Sequence, residues 1–159
     1  MNRRTLMVAG GAAAAAMPLA LTSARADATS AAKLPMLRIG TLSKQMSQRA
    51  LDRIESDALR QFAELEIAEI TAIEAAFGAT GPAPLTDVQE DELQRLEVAE
   101  APDLLFLEAQ IAVHQAALPI AKDYAASGDD PMAMGAAAVA VPSIASHLAM
   151  LAMIRSATA

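Results

Sequence analysis

An all-α four-helix bundle with a short extra helix in the crossover is the fold this 159-residue sequence predicts, on three observations. Its apolar residues are mostly Ala, Leu, Ile, Val and Met, and aromatics make up only 3%, a palette that favours helix over strand. Apolar positions recur near a 3.6-residue period, whereas alternating Val/Ile/Thr runs are scarce. Pro, Gly and capping residues divide the chain into four long stretches and one short one, with tight connections inside each pair and one longer connection between pairs.

The elements follow in order. Residues 27–35 form a polar, Ala/Ser/Thr-rich lead-in, and the helical domain is expected over residues 36–155. The first helix begins near Met36, after Pro35, and turns Leu37, Leu42, Met46, Ala50 and Ile54 to one side. Ser56-Asp57 offers a side-chain oxygen to orphan amides and opens a second helix from about Ala58 to Phe77, with Leu59, Phe62, Leu65, Ile67, Ile70 and Ile73 towards the interior. Gly78 closes it, and the Thr80-Gly81-Pro82-Ala83-Pro84 segment cannot remain helical. Thr86 and Gln89 have capping-box spacing and start a short acidic helix to about Val98. Pro102-Asp103 starts a long helix through Ala126 that uses Leu104, Leu107, Ile111, Leu118 and Ile120. Gly128 is read as its C-terminal cap, Asp130 as the next N-cap and Pro131 as the first residue of a last helix to about Arg155. Pro119 and Pro142 fall inside helices, where kinks are expected and the carbonyls of Gln115 and Ala138 lose their donors.

Residues 1–26 read as an address. Met1 to Arg4 supply a positive start, Leu6 to Leu21 an apolar stretch, and Ala24-Arg25-Ala26 a small-x-small cleavage signal, so a secretory signal peptide and an exported, periplasmic or outer-envelope location are expected. Arg3-Arg4 followed by Thr5-Leu6-Met7 resembles a twin-arginine signal.

Charge and cysteine usage exclude several functions. The formal charge is -7, and removing Arg3, Arg4 and Arg25 with the leader leaves about -10 on an exterior that has no basic face for nucleic acid. Zero Cys excludes disulfides, thiolate zinc sites and iron–sulfur clusters. No phosphate-binding glycine loop or nucleophilic triad is present, so no catalytic residues are assigned.

Candidate chemistry centres on two histidines. His114 and His147 fall on the two helices of the second hairpin; with its turn between Gly128 and Asp129, His147 lies level with Gln110, one helical turn from His114. Gln110 and Asp103 lie near the His114 face and form a candidate polar cluster with it. Glu66 and Glu69 share a face of the second helix by i, i+3 spacing. Glu66, Glu69, His114 and His147 together make a candidate site for a divalent metal such as iron. The Glu-x-x-His signature of carboxylate-bridged di-metal bundles is absent, because Ile111 and Ile144 stand three residues before the histidines. Met132, Met134, Met150 and Met153 are read as adaptable core filling.

Gly40-Thr41-Leu42-Ser43, the run Phe62-Ala63-Glu64-Leu65-Glu66-Ile67-Ala68-Glu69, Asp103 with Phe106, Ala109-Gln110 and His114, and Val141-Pro142 with His147-Leu148 resemble a bacterial exported family, the domain of unknown function numbered four-one-four-two. The resemblance spans about Leu37 to Ile154. It implies a ferritin-like four-helix bundle and the label of a predicted outer membrane protein. The chain departs from the family pattern at Glu69-Ile70, where an Asp-His pair is common, and at Phe106, where a Tyr is common.

The expected role is therefore a non-catalytic envelope protein that binds a protein partner or serves in stress tolerance. The alternative is a divalent-metal-binding or oxidase-like protein using the Glu/His cluster. A third reading, peripheral membrane contact, follows from the Met- and Ala-rich last helix.

Overall fold

The computed structural model describes residues 30–158, so the expected leader and cleavage site at residues 1–26 lie outside the described residues. Five helices make up the fold: α1 (Leu34–Ala50), α2 (Asp57–Ala76), α3 (Asp87–Val98), α4 (Pro102–Ser127) and α5 (Pro131–Thr158), with no strand among the described residues. Helix α1 packs on α2 and α4, α2 on α5 and α4 on α5, so the four long helices close a ring. The short α3 lies in the α2–α4 crossover and leans on α1 and α4.

Local chemistry sets the boundaries. Ser56 caps α2 by accepting from the Leu59 amide, and Thr86 and Gln89 form the reciprocal capping box of α3. Asp130 accepts from the Met132 and Ala133 amides ahead of α5. Helix α1 stops at Ala50, a turn earlier than its apolar stripe implies; Leu51–Arg53 is a turn, and Ile54 is buried from outside the helix. Gly78 ends α2 in the left-handed region, at φ 71°.

Gly128 is the C-cap of α4, as expected, with its amide donating to the Tyr124 carbonyl, but the need for glycine there has another cause. Its φ is -63°, which any residue adopts, but a Cβ there would stand 2.6 Å from the Tyr124 ring and 2.8 Å from Met134. Close approach, not backbone freedom, selects glycine.

The core has two apolar parts. One gathers Met46, Phe62, Leu93, Phe106, Ile111 and Leu151; the other gathers Leu37, Phe77, Ala121, Tyr124, Ala137 and Ile144. Along all four long helices the buried polar residues Ser43, Glu66, His114 and His147 fall between the two, so a polar layer crosses mid-bundle. Helices α4 and α5 continue through Pro119 and Pro142.

Several expected core positions face out. Leu65 and Leu104 are exposed, as are Met132 and Met153, while Met134 and Met150 are half-buried. On α2 the inward stripe runs through Leu59, Phe62, Ala63 and Glu66, and a carboxylate takes the place that hydropathy alone would give Leu65. On α5, residues 131–154 include no Asp, Glu, Lys or Arg, so charge does not mark a face; Ala133, Ala137 and Ala140 pack inside, and Met132 and Met153 are left outside.

Asp103 is part of this framework. Its two oxygens accept from the backbone amides of Glu55 and Ser56, both at 2.9 Å, and so cap the start of α2 from α4. Asp103→Ala strands two amides and is expected to lower stability by about 1–2 kcal/mol, read as a fall of a few degrees in Tm. An unchanged Tm would show that water serves those amides equally well.

Candidate metal centre

Helix α2 carries Glu66 inward, α4 carries Gln110 and His114 four residues apart on one face, and α5 carries His147. All four are buried: Glu66 is 2% exposed, Gln110 0%, His114 3% and His147 5%. A carboxylate without partners at such depth would be strongly disfavoured, so its contacts decide whether it is tolerated.

Those contacts are complete. Glu66 Oε1 accepts from the Ser43 hydroxyl of α1 at 2.6 Å. Glu66 Oε2 lies 3.1 Å from His147 Nδ1 and 3.4 Å from His114 Nε2, and the two ring nitrogens are 3.2 Å apart. Gln110 binds α1 through its amide, donating to the Ser43 carbonyl and to Ser47 Oγ, both at 3.1 Å. No buried side-chain N or O among the described residues lacks a partner. Phe62 supplies an apolar wall, its ring centre 5.7 Å from that of His114 and 5.4 Å from that of His147.

Hydrogen bonding orients both imidazoles. His114 Nδ1 sits 2.8 Å from the Gln110 carbonyl, which can only accept; Nδ1 therefore carries a proton and Nε2 is turned to the cluster. His147 presents Nδ1 to Glu66, and its opposite nitrogen, Nε2, lies 3.4 Å from Glu69 Oε2. Carbonyl- or carboxylate-buttressed imidazoles of this kind are the usual outer support of metal-ligating histidines.

One oxygen of Glu66 and one nitrogen of each ring lie within 4.8 Å of one another. With metal–ligand bonds of about 2.1 Å, two donors stand about 3.0 Å apart at a right angle and about 3.4 Å apart in a tetrahedron. The observed separations of 3.1, 3.2 and 3.4 Å fall within that range, so the three donors can share one face of a coordination polyhedron.

Of the residues singled out in the sequence, Glu66, His114 and His147 converge as potential ligands. Glu69 stands behind His147, on the far side of the ring. Gln110 belongs to the layer through Ser43 and Ser47, and its side chain does not bond His147. Asp103, two helical turns before Gln110, is engaged at the α2 start and is not part of the cluster. Ser43, Ser47 and Phe62 were not among the sequence candidates. A signal for the serines existed in Gly40, Ser43 and Ser47, whose i, i+3, i+7 spacing puts small or polar residues on a buried stripe. The carbonyl bearers Gln115 and Ala138 do not line the pocket beside this cluster.

Electrostatics tie the cluster to pH. Burial pushes the Glu66 carboxyl up, but hydrogen bonds from His114, His147 and Ser43 outweigh it and hold the group down at about 2, against an ordinary 4.5. Burial lowers His147, yet the Glu66 hydrogen bond and the charges of Glu66 and Glu69 raise it above its ordinary 6.5. The lowered carboxyl contributes stability that is present above pH 4.5 and lost as pH falls towards about 2. The raised imidazole contributes stability that is present below pH 6.5 and lost as pH rises through its folded value. Cation-free protein is therefore expected to be most resistant to urea between those limits, and Glu66→Gln to flatten both flanks. A variant profile parallel to the parent's would contradict the assignment.

The fold and the cluster define a class, an all-α helical bundle with a buried carboxylate–imidazole layer. The chain belongs to the family described as Domain of unknown function (DUF4142), whose model matches residues 11–154. No curated protein and no solved structure matches the chain.

Proposed function

We propose that this is an exported, ferritin-like protein that binds one divalent transition-metal cation through Glu66, His114 and His147. The observation that carries the reading is the convergence of one carboxylate and two imidazoles, each buried and each with its remaining polar atoms engaged. An apolar layer of similar volume would stabilise a bundle as well or better, so a buried ionisable triad calls for a ligand-based explanation. Two nitrogens and one oxygen suit iron(II), zinc or manganese better than calcium or magnesium, which favour all-oxygen shells.

Support for the ferritin-like description is the ring of four long helices with a long α2–α4 crossover, and the projection of polar residues inward from all four. Support for export is the leader pattern over residues 1–26. A periplasmic or outer-envelope protein of this kind can sequester a cation or meet a protein partner. Helices α4 and α5 are long and apolar enough to cross a membrane by length and composition, but both contribute imidazoles to the layer that Glu66 enters from α2. That shared layer favours a bundle standing in water. Protein purified from cells expressing the full chain should retain, after dialysis, one transition-metal ion per chain by elemental analysis; metal-free protein that also fails to take up iron(II), zinc or manganese refutes the reading.

A further inference from the structure

Helix α5 has two apolar faces, and the bundle uses one. It packs on α4 and α2, where Ala133, Ala137, Ile144 and Leu151 are buried. The opposite face is exposed from Met132 to Met153 at alternating intervals of three and four residues, through Gly135, Val139, Pro142 and Ala149. Three heptads of that spacing make the seam of a coiled coil, here turned outward. Met132 and Val139 are 71% exposed and Met153 70%. Residues 131–154 include no Asp, Glu, Lys or Arg. Ser146 completes the stripe, and its hydroxyl already donates to the Pro142 carbonyl at 3.0 Å, so covering it strands no donor.

The size of this face fits association. About 22 residues at ~1.5 Å each give a length of about 33 Å, and half the girth of a helix ~10 Å across makes the face on the order of 500 Å². That lies within the range of patches that mark interaction sites, and two such faces together remove about 1,000 Å², the size at which specific association begins.

Chemistry selects the occupant. Helices that lie in a membrane surface insert Trp, Phe or Leu and flank them with Lys or Arg, none of which occurs on this stripe. The formal charge of -7 also opposes contact with anionic lipid. A second copy presents the same uncharged seam, so neither side buries a charge. Helix α3 sets the direction. It holds Asp87, Glu90, Asp91, Glu92 and Glu97 against Arg95 alone, and its Leu93 and Leu96 share a core with Leu151, near the C-terminal end of α5. Parallel pairing brings the two acidic helices to the same end, whereas antiparallel pairing keeps them at opposite ends.

We propose that two copies of this chain pair through the outer face of α5, the two helices antiparallel about a two-fold axis near Pro142, with Met132 of each copy near Met153 of the other. This pairing is independent of any cation.

Sedimentation equilibrium of the purified protein should show a dimer that dissociates in the micromolar range. Val139→Glu, a change at an exposed position, should weaken it at least about a hundredfold with helicity and Tm unchanged, because each pair then buries two carboxylates. The chain contains no Cys, so one introduced thiol reports proximity without background. A short bis-maleimide should join Pro142→Cys into a covalent dimer. It should not join Met132→Cys, whose two copies lie about 30 Å apart in an antiparallel pair, but should join an equimolar mixture of Met132→Cys and Met153→Cys. A parent that stays monomeric at about 100 µM, a Val139→Glu dimer as tight as the parent's, failure of Pro142→Cys to link, or self-linking of Met132→Cys overturns the proposal. Monomer that floats with phosphatidylcholine–phosphatidylglycerol vesicles overturns it as well, making a bilayer the occupant of this face.

Discussion

Replacing both His114 and His147 with Ala is expected to abolish cation retention while the chain stays helical at neutral pH. Two of three donors vanish, and Glu66 alone cannot compete with water for a transition metal. The lone carboxyl is then left in apolar surroundings beside Ser43, where protonation is cheaper than a buried charge, so lower thermal stability with preserved circular dichroism is the accompanying result. Glu69→Gln separates ligation from support. Because Glu69 faces the outer nitrogen of His147, that substitution should weaken the cation by about 10–100-fold without eliminating it. Metal content that survives the double substitution, measured by elemental analysis after dialysis, would remove these residues from any cation site. Complete loss in Glu69→Gln alone would make Glu69 a ligand.

Phe62→Ala is expected to be the most destabilising single change in the hydrophobic core. The ring is 1% exposed, packs edge-on to Phe106 at 6.3 Å between centres and walls both imidazoles. Truncation leaves a cavity where the polar layer meets the larger apolar cluster, at a cost of about 3–5 kcal/mol. The urea midpoint should fall accordingly, and cation affinity should fall with it because both rings lose the surface that fixes them. Phe62→Leu, which refills part of the volume, should recover a large share of both. A midpoint within error of the parent would mean that the bundle collapses freely onto the gap, contrary to close packing at this position.

Much of the fold was legible because its signals are local. Ser56, the Thr86–Gln89 pair, Gly78 and the Asp130-Pro131 junction each act on amides or carbonyls a few residues away, and helix boundaries followed from them closely. Local reasoning failed where two helices compete for the same space. Leu65 yielded the interior to Glu66, and α5, without Asp, Glu, Lys or Arg over residues 131–154, offered little contrast from which to choose a face. Gly128 is the cap that its position suggested, but what demands glycine there is close approach to the Tyr124 ring, a contact that sequence spacing does not specify.

The candidate centre divides in the same way. Only two histidines exist, and their placement across a tight turn made their proximity readable from helix arithmetic. Which Glu would join them was not readable, since Glu66 and Glu69 differ by less than one turn and share a face. Rotation of α2 against α5 decided it, setting one carboxylate between the rings and the other behind His147. Asp103 was drawn off to the α2 amides by the same packing, and Ser43 was brought in from the far side of the layer by α1. By itself the sequence determined an acidic, cysteine-free, all-helical chain with its imidazoles on one hairpin, because composition, periodicity and caps act within a few residues. Only the tertiary structure decided which polar groups meet, because a donor set within 4.8 Å depends on helix rotations that no single helix encodes.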